Sequence, residues 1–454
     1  MFFALAFSPL FIVQGSCMNI RLLVASLSLV CITFTSPLLA EDWPQWMGVR
    51  RDGVWNETGT LDKFPAEGPK VLWRAKIAGG YAGPAVSQGR VVVTDFVTQG
   101  EFTNDPQTRN DLQGTERVLC LDAASGKELW KFEYPTTYKI SYPCGPRCTP
   151  TIDGKLVYTL GAEGNLCCLE LATGKLVWSR ELKKDYSVGA PLWGFAGHPL
   201  VEGNQLICLV GGKGAVAVSF DKLTGKELWK ALDAREPGYA PPTIVTIGGQ
   251  RQLVIFHSES INGLAIDGGK TLWSVPVAAD YGMSIMAPRS SGSLLYAAGI
   301  VDKGVMLKFD GNKPSELWRT ENKLGIDSVC STPIIVGETM YGVDREGELT
   351  GMKLETGEHL WQSYAATTGA RRANSGTAFL VKNGEKFFLF NEKGELVIAK
   401  LSPEGYEELS RGKILEPTGD AFGRKVVWSH PAFANKTIIA RNDQEIVCVS
   451  LAAE

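Results

Sequence analysis

The chain has 454 residues, with 46 Lys plus Arg against 49 Asp plus Glu and a net charge of −3. A balance this close to neutral leaves no global field for nucleic acid or an anionic membrane surface, so any charge-dependent function must be local. The 50 glycines and 12 tryptophans, without a long low-complexity tract, exclude a disordered chain and fit a turn-rich β protein.

The N-terminus reads as an export signal. From Met18, MNIRLLVASLSLVCITFTSPLLA places Arg21 before an apolar run over 22–34 and ends in small or apolar residues at Ala40. Residues 1–17 are apolar too and add nothing such a leader needs, which makes Met18 a second candidate start. An uncleaved anchor competes with this reading, because the combined apolar stretch could span a bilayer. Cys31 has no small residues before it, which argues against a lipoprotein site. The division expected is therefore 1–40 as signal peptide, 41–69 as an N-terminal extension and 70–454 as one folded body. That body would be exported to the periplasm, the cell envelope or the medium, with no transmembrane domain after cleavage.

Cleavage would leave eight cysteines in an oxidising compartment. Cys144 and Cys148, in PCGPRC, are placed for a local disulfide. Cys120, Cys168 and Cys448 lie in apolar strand-like runs, where cysteine serves as a small hydrophobe.

From residue 70 onward one phrase recurs. SFDKLTGKELWK, Ser219 to Lys230, has relatives in LCLDAASGKELWKFE, CCLELATGKLVWSRE, GLAIDGGKTLWSV, LKFDGNKPSELWRT and GMKLETGEHLWQS. Each is an alternating strand, a tight turn with Gly at positive φ, and a second strand carrying Trp. The tryptophans Trp73, Trp130, Trp178, Trp229, Trp273, Trp318 and Trp361 fall 43 to 57 residues apart, and Leu409 takes the next expected position. A second hairpin pattern lies between copies, as in STPIIVGETMYGVD. Four short strands in about 45 residues make one propeller blade. Inner strands starting near Ala85, Thr149, Pro199, Pro241, Ala287, Thr332, Thr377 and Pro431 predict eight blades. The chain ends on IVCVSLAAE, a third strand lacking its Trp strand, whereas KVLWRAKI from Lys70 is a Trp strand lacking a blade. The expected fold is thus an all-β, eight-bladed β-propeller of four-stranded antiparallel blades, closed by the N-terminal strand, with the tryptophans packing blade on blade.

The pattern acidic-x-x-(Thr/Ser)-Gly-Lys-x-x-Trp, with DWPQW and RDGV before the first strand, resembles the PQQ-like β-propeller repeat family over roughly residues 42–451. That family includes quinoprotein alcohol dehydrogenases and the non-catalytic assembly lipoprotein BamB. The repeated residues are packing residues, so the resemblance specifies fold more than function. A quinoprotein, as the resemblance implies, needs Ca²⁺ held by several converging oxygens, an Asp base and a disulfide of adjacent cysteines. The sequence is poor in these. Cys167 and Cys168 sit in one alternating strand and face opposite ways. Asp327 is the acid nearest an inner-strand start, and Asn374 is the nearest amide. His198, His257, His359 and His430 lack metal-ligand spacing. His198 and His430, in GHPL and SHPA, begin blades three steps apart, so a shared metal is not expected. There is no P-loop, no G-x-S-x-G elbow and no H-E-x-x-H.

The loops from each outer strand to the next inner strand surround the axis on one face and carry the non-repeated residues. The candidate binding residues there are Tyr81, Arg147, Trp193, His198, Tyr239, Asp327, Arg371, Arg372, Asn374 and His430, with Met283 and Trp428 beside them. Arginines outnumber acids, which suits an anionic or planar ligand or an acidic segment. The plainer alternative is a water-filled channel braced by these residues. An insertion over 95–118 extends a hairpin of the first blade onto the same face, and its polarity reads as a solvated loop. The leading expectation is an exported, non-catalytic binding or assembly scaffold, monomeric, without cofactor or metal, whose partner is a protein or an anionic small molecule or polymer of the envelope. The alternative is a PQQ- and calcium-dependent alcohol or sugar dehydrogenase.

Overall fold

The computed structural model describes residues 41–320 and 324–453; the expected leader, residues 1–40, lies outside them. Eight four-stranded antiparallel meanders follow one another: blade 1 over 85–140, blade 2 over 151–181, blade 3 over 200–231, blade 4 over 243–276, blade 5 over 289–319, blade 6 over 334–363, blade 7 over 378–413, and blade 8 over 432–450. Each inner strand begins within two residues of its expected start. The outer strand of blade 8 is Val71–Lys76, which pairs antiparallel with Glu445–Ser450 through Trp73↔Cys448 and Ala75↔Ile446. The ring is closed by its first strand, as the two chain ends imply. Closure leaves blade 8 with the same four strands as its neighbours.

The recurring Leu-Trp step has a structural cause. In every outer strand the register slips by one residue just before the tryptophan or its counterpart. The bulged residues are Leu72, Leu129, Val177, Leu228, Leu272, Leu317, Leu360 and Leu409. A bulge of this kind adds local twist and re-aims the next side chain. That next side chain is the tryptophan, turned onto the following blade. Trp73, Trp130, Trp178, Trp318 and Trp361 donate Nε1–H to carbonyls of Ala123, Leu171, Lys222, Leu354 and Ser402, each in the next blade, at 2.8–3.0 Å. Trp229 and Trp273 donate instead to Gln205 and Gln252 of their own blades.

The turn glycines complete these joints. Gly174 has φ +72°, and a Cβ there would come within 2.5 Å of the Trp130 ring. Gly therefore supplies both the turn conformation and the flat seat for the neighbouring indole. Blade 7 departs from the pattern. The bulge makes Leu409 the counterpart of the leucines, not of the tryptophans as expected; Ser410 stands at the tryptophan position. Its hydroxyl accepts from Phe64 N at 3.0 Å, and Leu61 and Phe64 of the extension pack into the joint.

The extension is the largest departure from the sequence reading. Residues 43–55 cross the ring centre. Trp43 exchanges backbone bonds with Val86 of blade 1, at 2.9 and 2.8 Å, and Pro44 O accepts from Ile152 N of blade 2. Arg51 donates to the carbonyls of His198 and Pro199 at 3.1 and 2.9 Å, and its own carbonyl accepts from Arg289 of blade 5 at 2.9 Å. Trp55 and Gly53 bond Lys382 of blade 7, and Trp43 meets Phe433 of blade 8. A segment bonded to the inner strands of blades 1 and 5, on opposite sides of an eight-membered ring, has to cross the axis. Trp43, Trp46 and Trp55 are buried. DWPQWMGVRRDGVW is thus a plug, and the through-channel considered above is a blind bowl.

Candidate functional site

The bowl occupies about 780 Å³ above the plug, and every blade-to-blade connection contributes to its wall. Tyr81 comes from the connection between blades 8 and 1, Tyr142 and Arg147 from 1 to 2, and Trp193 and His198 from 2 to 3. Tyr239, Met283, Cys330 and Asn374 come from the next four connections, and Trp428 and His430 from 7 to 8. Trp46 of the plug forms part of the floor. Pro106 and Gln107 at the tip of the blade 1 insertion also reach the lining. That insertion is mostly structured: Asn110–Asp122 and Glu128–Ile140 pair as an unusually long hairpin, leaving only 98–109 as loop.

Of the ten candidates, Tyr81, Arg147, Trp193, His198, Tyr239, Asn374 and His430 line the bowl; Asp327, Arg371 and Arg372 do not. Asp327 is turned aside. Its carboxylate accepts from Val301 N at 3.0 Å and faces Arg345 Nε at 3.5 Å. Burial, reinforced by Asp344, raises its pKa to about 6. Arg371 and Arg372 are exposed, and Arg372 pairs with Glu346 at 2.9 Å. The guanidinium groups on the lining are Arg147 and Arg345.

Arg147 braces the wall. It donates to the carbonyls of Trp193 (2.8 Å), Ser141 (2.8 Å), Tyr142 (2.6 Å) and Gly145, and its guanidinium lies 5.1 Å from the centre of the Tyr81 ring. The neighbouring cysteines are not bridged. Cys148 is buried with its sulfur 3.6 Å from Phe195 O in the next connection, while Cys144 lies against Gly79 and Asp443. The chain turns between them to deliver Arg147, so the two sulfurs serve different neighbours.

The floor is neutral and aromatic. His198 stacks on Trp46 with ring centres 4.9 Å apart, and Trp46 donates to His430 Nε2 at 3.3 Å. His198 Nδ1 accepts from Thr149 N at 2.9 Å. The two histidines, expected far apart, converge on the axis with ring centres 6.1 Å apart. Blades three steps apart meet there because inner-strand starts converge on the axis. Burial holds both imidazoles neutral: His198 is pushed well below its usual value and His430 down to about 3.

A pH dependence follows. Below about pH 6.5 the unfolded chain protonates His430 and the native state does not, so stability falls as pH drops from about 6.5 toward 3, by up to about 1.4 kcal/mol per unit. Asp327 opposes this between about pH 6 and 4, because its native carboxyl takes up a proton first. The comparison that isolates the histidine is wild type against His430→Gln. In urea titrations the wild type should lose about 1 kcal/mol per pH unit relative to the variant from pH 6.5 to 4.5. A constant difference would contradict the neutral floor.

Calcium and a quinone are the groups the fold class implies, and the residues present do not fit them. A hard dication takes about 6–8 oxygens, usually several from carboxylates, and the lining contains no Asp or Glu. Cys167 and Cys168 are free thiols packed into different interfaces, Cys167 toward blade 1 and Cys168 toward blade 3. Among the described residues no group of three or more His, Cys, Asp or Glu could hold a metal ion. The sequence reading missed Trp46, Tyr142, Tyr281 and Phe422. Trp46 belongs to a motif that looked like a family signature, and the others lie on connections with no repeat to flag them.

A family model described as outer membrane protein assembly factor BamB matches residues 57–141, 114–299 and 284–454. The chain is 24% identical to BamB of Shewanella oneidensis over 221 residues, which is 44% of this chain and 54% of that protein. The match thus spans about half the relative's length. The structure of BamB from Moraxella catarrhalis aligns over 84% of this chain and 98% of its own, with a TM-score of 0.52 and 15% identity. Quinohemoprotein alcohol dehydrogenase from Comamonas testosteroni aligns over 91% and 81%, with a TM-score of 0.56 and 12% identity. Identities this low establish a common propeller fold.

Proposed function

The chain belongs to the family described as outer membrane protein assembly factor BamB, and from that premise we propose that it is an exported, non-catalytic binding scaffold of the cell envelope that engages its ligand in the axial bowl. The observation that carries this reading is the bowl's lining: aromatic faces from almost every connection, two arginines and no carboxylate. Such a wall can hold and orient a ligand, but it offers no carboxylate base and no cage for a hard cation. The description of the family and of its Shewanella oneidensis relative as outer membrane protein assembly factor supports an envelope location and a partner there. Among the described residues no helix is long and apolar enough to cross a membrane. The quinone-dependent dehydrogenase is the second reading, favoured only by the shared fold.

The test uses geometry that differs between the two faces. A photo-reactive side chain at Phe422, 44% exposed on the rim, should give a discrete adduct in cells; the same group at Lys226, in a repeat turn on the opposite face, should give none. Equal labelling from both positions would remove the bowl as the site.

A further inference from the structure

The bowl is chemically one-sided. Behind the floor, Arg51 lies 5.4 Å from the centre of the Trp46 ring, and Arg289 is bonded to carbonyls of Arg51 and Pro333. Both guanidinium groups are satisfied by carbonyls rather than carboxylates. Burial and their mutual repulsion lower Arg51 to about 9, and burial lowers Arg289 to about 10. Arg147 and Arg345 stand on a lining that has no Asp or Glu, and the bowl's apolar walls screen their charge weakly. Arg147 donates to carbonyls and Arg345 is only loosely paired, so an entering anion meets guanidinium charge that the wall does not fully neutralise.

The aromatic surfaces specify the rest of the ligand. Neighbouring rings are tilted: Trp193 to Tyr239 by 65°, Tyr142 to Trp428 by 55°, and Phe422 to Trp428 by 56°. These pairs do not form parallel plates for a flat polycycle. Separate inclined faces suit puckered rings, whose C–H bonds meet the negative π face. The polar atoms suit hydroxyl groups. Tyr142 Oη and Ser331 Oγ belong to buried residues on the lining and have no hydrogen-bond partner, and each can donate or accept. His198, accepting at Nδ1, carries its proton on Nε2 and offers a donor at the floor. At about 780 Å³ the bowl is within the range of about 300–1,000 Å³ usual for small-molecule sites.

We propose that the bowl binds an acidic saccharide, a short run of sugar rings bearing carboxylate or sulfate groups. The inference rests on the scaffold reading only in using the same bowl. Arg345, held loosely by Asp327 at 3.5 Å and Glu346 at 3.7 Å, meets the acid group, and Trp193 carries a sugar face.

The test is titration of tryptophan fluorescence in the full chain with tetragalacturonate, a chondroitin sulfate tetrasaccharide, neutral cellotetraose and poly-L-glutamate. At least one acidic tetrasaccharide should bind about 10-fold or more tighter than cellotetraose, and more weakly as salt rises. The first two probes distinguish carboxylate from sulfate. Trp193→Ala should weaken binding about 10-fold and Trp193→Tyr should restore most of it; if Trp193→Ala does not fold, Phe422→Ala on the exposed rim takes its place. Equal binding of cellotetraose, preference for poly-L-glutamate, or no binding of either acidic tetrasaccharide up to about 10 mM overturns the proposal. Quinone-dependent dye reduction would overturn the scaffold reading whatever the saccharides do, so the two failures are distinguishable.

Discussion

Deletion of residues 70–77 is expected to abolish cooperative unfolding and drive the protein to aggregate. Val71–Lys76 supplies the outer strand of blade 8, and without it Glu445–Ser450 keeps its pairing with Thr437–Arg441 but exposes its other edge. An exposed edge of this length is a template for pairing with another chain. The deletion also removes Trp73, which is buried, seated over Gly126 of blade 1 and bonded to Ala123 O. One deletion therefore opens the ring twice, at the blade edge and at the joint to the next blade. Thermal melts followed by near-UV dichroism, with light scattering, check it. A two-state melt within a few degrees of the full chain would mean that closure through the N-terminal strand does not hold the ring.

Trp55→Ala is expected to cost about 3–5 kcal/mol, the usual range for truncating a buried large aromatic. Trp55 is 0% exposed, meets Phe388 and Phe433 at 5.8 and 5.3 Å between ring centres, and donates Nε1–H to Glu57 at 2.9 Å. The cavity would open between blades 7 and 8, where Phe388 and Phe433 are held by sheets and cannot collapse inward. Truncation also leaves the carboxylate of Glu57, itself buried, with Lys436 N as its remaining bond partner. Urea unfolding measures the loss. A cost below about 1 kcal/mol would place the plug outside the cooperative unit.

The ring was legible because its information is repeated. The bulge, the turn glycine and the indole recur in step, so even the closing strand could be identified from a lone Trp strand at one end and its absence at the other. The error at Leu409 shows the limit. Spacing between tryptophans identified the strand, but only backbone register separates the bulged residue from the one it re-aims. The plug was not legible for the opposite reason. DWPQWMGVRRDGVW has neither the period-2 nor the period-3.6 pattern, and its conformation is set by the strands and connections it bonds rather than by itself.

The site was partly legible. Residues two to four positions before an inner strand face the axis by topology, and this located Arg147, His198, Tyr239 and His430. Arg371 and Arg372 were misplaced because the connection between blades 6 and 7 bulges outward: Thr368 Oγ1 bonds Arg371 O, and Ala373 N and Ser375 N bond Glu346 O and Arg345 O. Charge counting along a loop cannot detect such a detour. Phe422 sits in the turn of the short hairpin of Gly419–Ala421 and Arg424–Val426, a ninth sheet that no repeat announced, and Trp428 lies just after it.

The central claim is that the axial bowl binds without carrying redox chemistry. Its most direct test is reconstitution of the full chain with pyrroloquinoline quinone and Ca²⁺, followed by absorbance of the desalted protein and by dye reduction with alcohols and sugars. With no carboxylate on the lining to hold the cation, the account predicts no calcium-dependent quinone retained after desalting and no dye reduction above the protein-free control. Stoichiometric, calcium-dependent quinone uptake accompanied by alcohol oxidation would contradict it.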